Sequence, residues 1–439
     1  MKLTLRILTL LLALLLLVGC NANTPDESDE ATEEPTAAPT EAPTEAPDDR
    51  PADIVYSADL ASYTVIVDDS ASGTLKTMAG NLTDMLNERW NVSVILQNDE
   101  NLAPAKYEIL IGNTNRSETE SFKASLDDGE CGYTVVGRKI VILGQTDADT
   151  EKAINLFVNR VLLVEDTKST KYLQKGEEFT ENVSDMITVM SYNIRVGNSD
   201  NNPGTVTAMI KNYMPDLLGV QEADSGWMSV LKNRLSKSGY ACVGLGRDAD
   251  DTGERSAIFY RTDKFELLKT ATYWLTDTPD VVSRVETSLC NRIVTIATFK
   301  RISDGKVFTH ANTHLDHSGS TAREPQVQYL DGLVSGFTDE SFILTGDFNF
   351  QPDNNVYAVM MKKGYLNCGQ LAEYARGREN ATFTGGSMID YCFTFEGSDF
   401  YPYFYAVCDE PVNGGTPSDH HPIFLMLELP SKQAGIAET

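Results

Sequence analysis

Ser341-Phe342-Ile343-Leu344-Thr345-Gly346-Asp347-Phe348-Asn349 is a short apolar run that ends in glycine, aspartate and asparagine, with Gln351-Pro352-Asp353 behind it. The run predicts a buried strand. Residues i and i+2 of a strand share a face. If the strand runs through Asn349, its amide and the Asp347 carboxylate therefore project together beyond the strand end. Gly346 permits a turn or a close backbone approach, and Pro352 ends the ladder. Taken alone, the stretch also reads as a plain strand end with turn-forming Asp and Asn. Its company decides the reading, because similar strand ends recur through the second half of the chain.

Working outward, Ile187-Thr188-Val189-Met190-Ser191-Tyr192-Asn193 is a strand with Asn193 near its exit, and a helix is expected around Val206 to Tyr213. Asp216-Leu217-Leu218-Gly219-Val220-Gln221-Glu222 is a buried strand ending in an acid. Ala257 to Tyr260 follows Glu254, Ile293 to Phe299 follows Arg292, and Val307 to His314 leads into Leu315-Asp316-His317. Asp390 lies in Met388-Ile389-Asp390-Tyr391-Cys392-Phe393, and Ser418-Asp419-His420-His421 precedes a last strand, Phe424 to Leu427. All five histidines (310, 314, 317, 420 and 421) fall in two short stretches beside strand ends. Core packing does not require that, whereas general acid–base chemistry uses imidazoles. A pocket holding Glu222, Glu254, Asp347, Asp390 and Asp419 would repel a phosphate unless a cation sat among them. Hard oxygen donors without cysteine select Mg²⁺, Mn²⁺ or Ca²⁺ over zinc, and Mg²⁺ fits best, with Mn²⁺ as the substitute.

Ser-Tyr-Asn, Val-Gln-Glu, Asn-Thr-His-Leu-Asp-His, Gly-Asp-Phe-Asn, Ile-Asp-Tyr and Ser-Asp-His, in this order over residues 186–430, resemble the endonuclease/exonuclease/phosphatase superfamily. The resemblance implies an α/β fold, a four-layer α/β sandwich of two face-to-face sheets with helices outside. It also implies hydrolysis of phosphodiesters or phosphomonoesters by in-line attack of water. In that scheme Glu222 is the chief metal ligand, aided by Asn193 and Asp419. Asp390 pairs with His420 and Glu254 with His314, each carboxylate favouring the protonated imidazole. Asp347 positions or deprotonates the attacking water, while Asn193, Asn349 and Arg292 hold phosphate oxygens. Asp316 and His317 read equally well as a loop-shaping pair or as substrate contacts.

The first half carries no such constellation. Lys2 and Arg6 precede an apolar run, Ile7 to Val18, suited to a signal peptide, and Leu17-Val18-Gly19-Cys20 resembles a bacterial lipobox with Cys20 as the lipidated residue. Residues 1–20 are thus expected to be a lipoprotein leader that places the protein on the extracellular face of the cell membrane through an acyl anchor. Residues 21–50 hold ten acids and one arginine among Thr, Pro and Ala, and are expected to be a solvated linker. Residues 51–182 alternate strand and helix, with strands at 63–67, 92–96 and 107–112, a hairpin at Gly137-Arg138 and a helix over about 150–163. That pattern resembles the small α/β accessory domains found before catalytic domains in some glycan-degrading enzymes. The catalytic domain then spans 183–431, with 432–439 as a tail.

A net charge of -28 argues against nonspecific adhesion to nucleic acid. The six cysteines after Cys20 include no C-x-x-C pair, and buried free thiols are preferred over disulfides. The expectation is a monomeric, lipid-anchored, Mg²⁺-dependent phosphoesterase acting on small-molecule or lipid-headgroup substrates. The alternatives are a surface nuclease for scavenging and a non-catalytic binding protein on the same fold.

Overall fold

The computed structural model describes residues 54–164, 172–174, 178–198, 202–337 and 341–430. The expected leader with Cys20, the 21–50 linker and the 432–439 tail lie outside the described residues. In the first part, β1 (Ile54–Tyr56), β2 (Thr64–Val67), α1 (Gly73–Trp90), β3 (Ile95–Asn98), β4 (Glu108–Ile111) and α2 (Ser117–Lys123) come in that order. β5 (Glu130–Val136), β6 (Lys139–Gly144), α3 (Asp147–Phe157), β7 (Tyr172–Gln174) and β8 (Phe179–Asn182) complete it.

Local chemistry sets these boundaries. Ser72 caps α1 by accepting from the Leu75 amide, and the helix stops at Asn91 in the left-handed conformation, φ 52°. Thr146 and Asp149 form a reciprocal capping box at the start of α3. The strand expected at 92–96 begins only at Ile95. Val92 donates back to Asn87 O, and the Asn87 side chain brackets both backbone groups of Val94, so these residues belong to the helix stop. The sheet runs β3-β2-β4-β6-β5-β8, and α1 and α3 bury Leu75, Met78, Leu82, Leu156 and Phe157.

From Met186 the chain builds two sheets. Its first elements are β9 (Met186–Asn193), α4 (Pro203–Tyr213), β10 (Leu217–Ala223), α5 (Ser225–Ser236), β11 (Tyr240–Val243), β12 (Arg255–Arg261) and β13 (Phe265–Trp274). β14 (Ile293–Arg301), β15 (Val307–His314), α6 (Ser320–Val334), β16 (Phe342–Asp347), α7 (Asn355–Lys362) and β17 (Tyr365–Asn367) follow. Last come α8 (Cys368–Leu371), β18 (Tyr374–Arg376), β19 (Asp390–Phe395), β20 (Tyr401–Val407) and β21 (Ile423–Glu428). One sheet has the order β11-β12-β10-β9-β21-β20-β18, the other β13-β14-β15-β16-β19-β17.

A core that includes Val189, Leu217, Ile258, Phe299, Phe308 and Ile343 joins the facing surfaces of the two sheets. A second packs α6 and α7 onto the outer face of the β13–β17 sheet through Val327, Leu330, Val356 and Met360. Val206, Ile210, Trp227 and Leu231 of α4 and α5 cover the outer face of the other sheet. The expected α/β fold, a four-layer sandwich, is the observed one. The α4/α5 cluster also takes in the core of the first part, and the described residues form one compact unit. Glu151 of α3 reaches Lys264 at 3.0 Å and Arg261 at 3.4 Å, and Asn155 donates to Tyr213 O at 3.0 Å. The six cysteines are free, and Cys131, Cys368, Cys392 and Cys408 are buried. Among the described residues no helix is long and apolar enough to cross a membrane.

Candidate active site

Three strands bring the candidate residues together by register. β15 and β16 run parallel with His314 opposite Asp347, and β19 runs antiparallel with Asp390 opposite Asp347. In the facing sheet β9 and β10 run parallel with Asn193 opposite Gln221. β21 lies antiparallel to β9, so the segment leading into it meets the end of β9, where Ser418 Oγ donates to Asn193 O at 2.8 Å.

Two of these ends are bent away from strand geometry. The register between β10 and β12 slips between Val220 and Ala223, and Glu222 within that slip has φ 62°. This bulge turns the Glu222 carboxylate toward the site. β16 stops at Asp347, and Asn349 has φ 54°. The expectation that a continuing strand would align Asp347 with Asn349 is therefore corrected. A tight turn aligns them instead, with the Asn349 amide donating to Asp347 Oδ1 at 2.9 Å while Phe348 enters the core. Such backbone conformations are costly for non-glycine residues and concentrate at functional sites.

Asp347 is the hub. Its Oδ2 accepts from Asn193 Nδ2 at 2.9 Å and lies 3.4 Å from His314 Nε2 and 3.8 Å from His420 Nε2. Burial, reinforced by Asp390, pushes its carboxyl up to about 7, although His420 and Asn193 pull the other way. His420 Nδ1 sits 2.8 Å from Asp390 Oδ2, and Phe383 lies against its ring at 5.0 Å between centroids. Burial lowers the basicity of His420, but Asp390, with Asp347 and Asp419, outweighs it and holds the imidazole up to about 10. His420 is therefore an imidazolium at neutral pH.

His314 behaves in the opposite way. Glu254 was expected to pair with it and favour its charged form. Both Glu254 oxygens are instead taken by Arg247, at 2.7 and 2.8 Å, and His314 Nδ1 is 3.9 Å from Glu254, too far for a hydrogen bond. Burial, joined by the charges of Arg292, His420 and Arg247, holds His314 well below the usual histidine range. The ring is neutral, and Asn349 Nδ2 contacts its Nε2 at 3.0 Å.

Asn193 ties Glu222 to Asp347, donating to each at 2.9 Å, and its oxygen accepts from the Arg195 amide. In this arrangement it joins the two acids. Asp419, also expected near a metal, stands 3.6 Å from Arg195, with Ser418 Oγ 3.3 Å from its Oδ1. Asp316 is wholly buried and shapes its loop, accepting from Ser288 Oγ, the Leu289 amide and the Ser318 amide. His317 contacts Arg292 Nη2 through Nδ1 at 3.2 Å. Arg292 is buried, near Glu254 and Asp316 at 4.0 and 3.8 Å.

Donor atoms of Glu222, His314 and Asp347 all lie within 4.8 Å of one another, as do those of Asp347, Asp390 and His420. Asn193 bridges the Glu222 and Asp347 carboxylates with the neutral His314 beside them, and this oxygen-rich donor set fits a hard divalent ion. Arg247 escaped notice in the sequence. A lone basic residue seven positions before Glu254, in the acidic run Arg247-Asp248-Ala249-Asp250-Asp251, was the available signal.

Residues 190–420 match the Endonuclease/Exonuclease/phosphatase family. Among solved structures, the chain is similar to a family protein from Bacteroides thetaiotaomicron, with 30% identity over 55% of this chain and 97% of that chain, TM-score 0.51. It is also similar to a family protein from Bacteroides vulgatus, with 26% identity over 56% of this chain and 99% of that chain, TM-score 0.51. A Bacteroides thetaiotaomicron mannosyl-6-phosphatase shares 30% identity over 55% of this chain and 100% of that chain, TM-score 0.49. No match was found among curated proteins. The match spans every signature that converges on Asp347, and the chain belongs to the endonuclease/exonuclease/phosphatase family of phosphoester hydrolases.

Proposed function

We propose that this protein hydrolyses phosphoesters with the help of Mg²⁺, outside the cytoplasm and tethered through Cys20. The observation that carries the chemistry is the buried Asp347 carboxylate set between a neutral and a charged imidazole, with His420 locked by Asp390 at 2.8 Å. A carboxylate with affinity for a proton near neutrality is a competent base, so Asp347 accepts the proton of the water that attacks phosphorus. As the new P–O bond forms and the bond to the leaving oxygen breaks in line, the His420 imidazolium faces the charge growing on the phosphoryl oxygens. Asn193 and Asn349 keep Asp347 in place. Glu222, partly open to solvent, would hold the ion, which when bound acts as a Lewis acid on the phosphoryl group and screens the acids.

Hydrolysis of bis(p-nitrophenyl) phosphate and p-nitrophenyl phosphate, with and without EDTA, tests this. Activity is expected to vanish in EDTA and return with Mg²⁺ or Mn²⁺. His420→Ala and Asp347→Ala are each expected to cost a factor on the order of hundreds or more. Undiminished turnover in His420→Ala would sink the mechanism.

A further inference from the structure

We propose that Arg247 and Arg292 line a subsite that accepts one unesterified phosphoryl oxygen, making the enzyme selective for phosphomonoesters over diesters. This rests on the phosphoesterase reading above and specifies its substrate class.

Beside the reacting groups lies a crevice lined by Glu222, Arg247, Glu254, Asn291, Arg292 and His314, with room of about 10 Å³. That is about the size of one water molecule, and hence of one phosphoryl oxygen. Two of its wall residues, Glu222 and His314, belong to the group whose donor atoms converge with Asp347. The crevice therefore opens directly onto the place where phosphorus must sit.

Its donors are unspent. Arg247 uses its terminal nitrogens on Glu254, and Arg292 contacts His317 through Nη2, yet neither Nε has a hydrogen-bond partner. Asp316, 3.8 Å from Arg292 Nε, is out of hydrogen-bond range and is occupied by Ser288, Leu289 and Ser318. The Arg292 side chain is only 4% exposed, so water does not readily serve it. Buried N–H groups without acceptors are rare in folded proteins and point to a ligand atom. A guanidinium suits a phosphoryl oxygen both in charge and in geometry.

Size and donors act together. A terminal oxygen fits the space and satisfies the guanidinium N–H groups. An ester oxygen carries a carbon in place of a charge and a lone pair, and it is the poorer acceptor of the two. Discrimination of this kind, which leaves buried polar groups unpaired with the wrong substrate, is the strong kind.

The test uses the full-length protein with Mg²⁺ and two substrates sharing one leaving group, p-nitrophenyl phosphate and methyl p-nitrophenyl phosphate. Wild type is expected to favour the monoester in kcat/KM. Arg292→Gln and Arg247→Ala are each expected to lower the monoester-to-diester ratio at least tenfold, with Arg292→Lys in between. A wild type that favours the diester, or a ratio that stays within twofold in both variants, overturns the proposal. Inactivity toward both esters with every divalent ion would remove the phosphoesterase reading itself. The subsite would then be judged by inorganic phosphate, which must raise the Tm of wild type and not that of Arg292→Gln or Arg247→Ala. An equal shift in all three, or no shift in wild type, overturns it.

Discussion

His310 shows how much a single side chain can reveal about its setting. It is fully buried between the sheets, with Nε2 2.8 Å from Thr345 Oγ1 and Nδ1 without a partner, and burial pulls its ionisation down from 6.5 to about 3. A base whose folded value is depressed stabilises the fold fully above 6.5. That contribution falls as pH drops, because the unfolded chain takes up the proton first. The slope is roughly 1.4 kcal/mol per pH unit until the folded protein also binds the proton. His420, raised to about 10, has the opposite sign, since its stabilisation is present below 6.5 and lost through 10. The two partly cancel on mild acidification. His310→Asn, compared with wild type by urea unfolding at pH 7, 6 and 5, is expected to remove the acid-labile component and flatten or invert the slope. An unchanged slope would mean that His310 titrates normally. The clustering of histidines was plain in the sequence, but which imidazole is charged was not. Glu254 looked like a partner for His314, and only the fold shows Arg247 holding that acid.

Among the elements, the sheets meet through a polar seam one pleat below the catalytic groups. Gln221 Nε2 donates to Asn312 Oδ1 at 2.7 Å and to Ser191 Oγ at 3.1 Å, and Thr345 Oγ1 donates to Asn312 Oδ1 at 3.1 Å. Asn312 in turn donates to Val220 O and Ala257 O, each at 2.9 Å. Ser191, Asn312 and Thr345 stand two residues before Asn193, His314 and Asp347, hence on the same strand faces. Gly219 permits this contact, because a Cβ there would collide with Thr345 and Asn312. Asn312→Leu takes from Gln221 its shortest hydrogen bond and from two buried carbonyl groups the Asn312 donor, and is expected to destabilise the protein by about 2–4 kcal/mol in urea unfolding. A loss under about 0.5 kcal/mol would show that the seam is dispensable. The strands themselves were legible, since long apolar runs with punctuated ends leave few alternatives. The Glu222 bulge and the Asn349 turn were not, because both depend on a partner strand that local pattern does not specify.

For the whole molecule, the first part is joined to the second through charge as well as through apolar surface. Glu151 of α3 meets Lys264 and Arg261, and Lys264 also bonds Asp216 at 2.6 Å. Tyr403 donates to Glu181 at 2.7 Å, and the Arg160 guanidinium lies between the rings of Phe179 and Tyr374 at 4.1 and 4.5 Å. Glu151→Ala leaves Lys264 and Arg261 their second acids, Asp216 and Asp263, so a cost of about 1–3 kcal/mol is expected, again from the urea midpoint. A midpoint that does not move would mean that Glu151 adds nothing to the joint between the two parts. Six short signatures made the second part readable, because each joins a strand end to a reactive side chain. The contact between the parts was hidden, since α1 and α4 look like ordinary amphipathic helices until their outer faces meet.

The chain distance between bonded site residues sets when the site can exist. Asn193 and Asp347 are 154 residues apart, and Ser418 and Asn193 are 225 apart. No short fragment contains even half of these pairs. Loop closures this long are slow, so in refolding, turnover is expected to return no earlier than the helical signal.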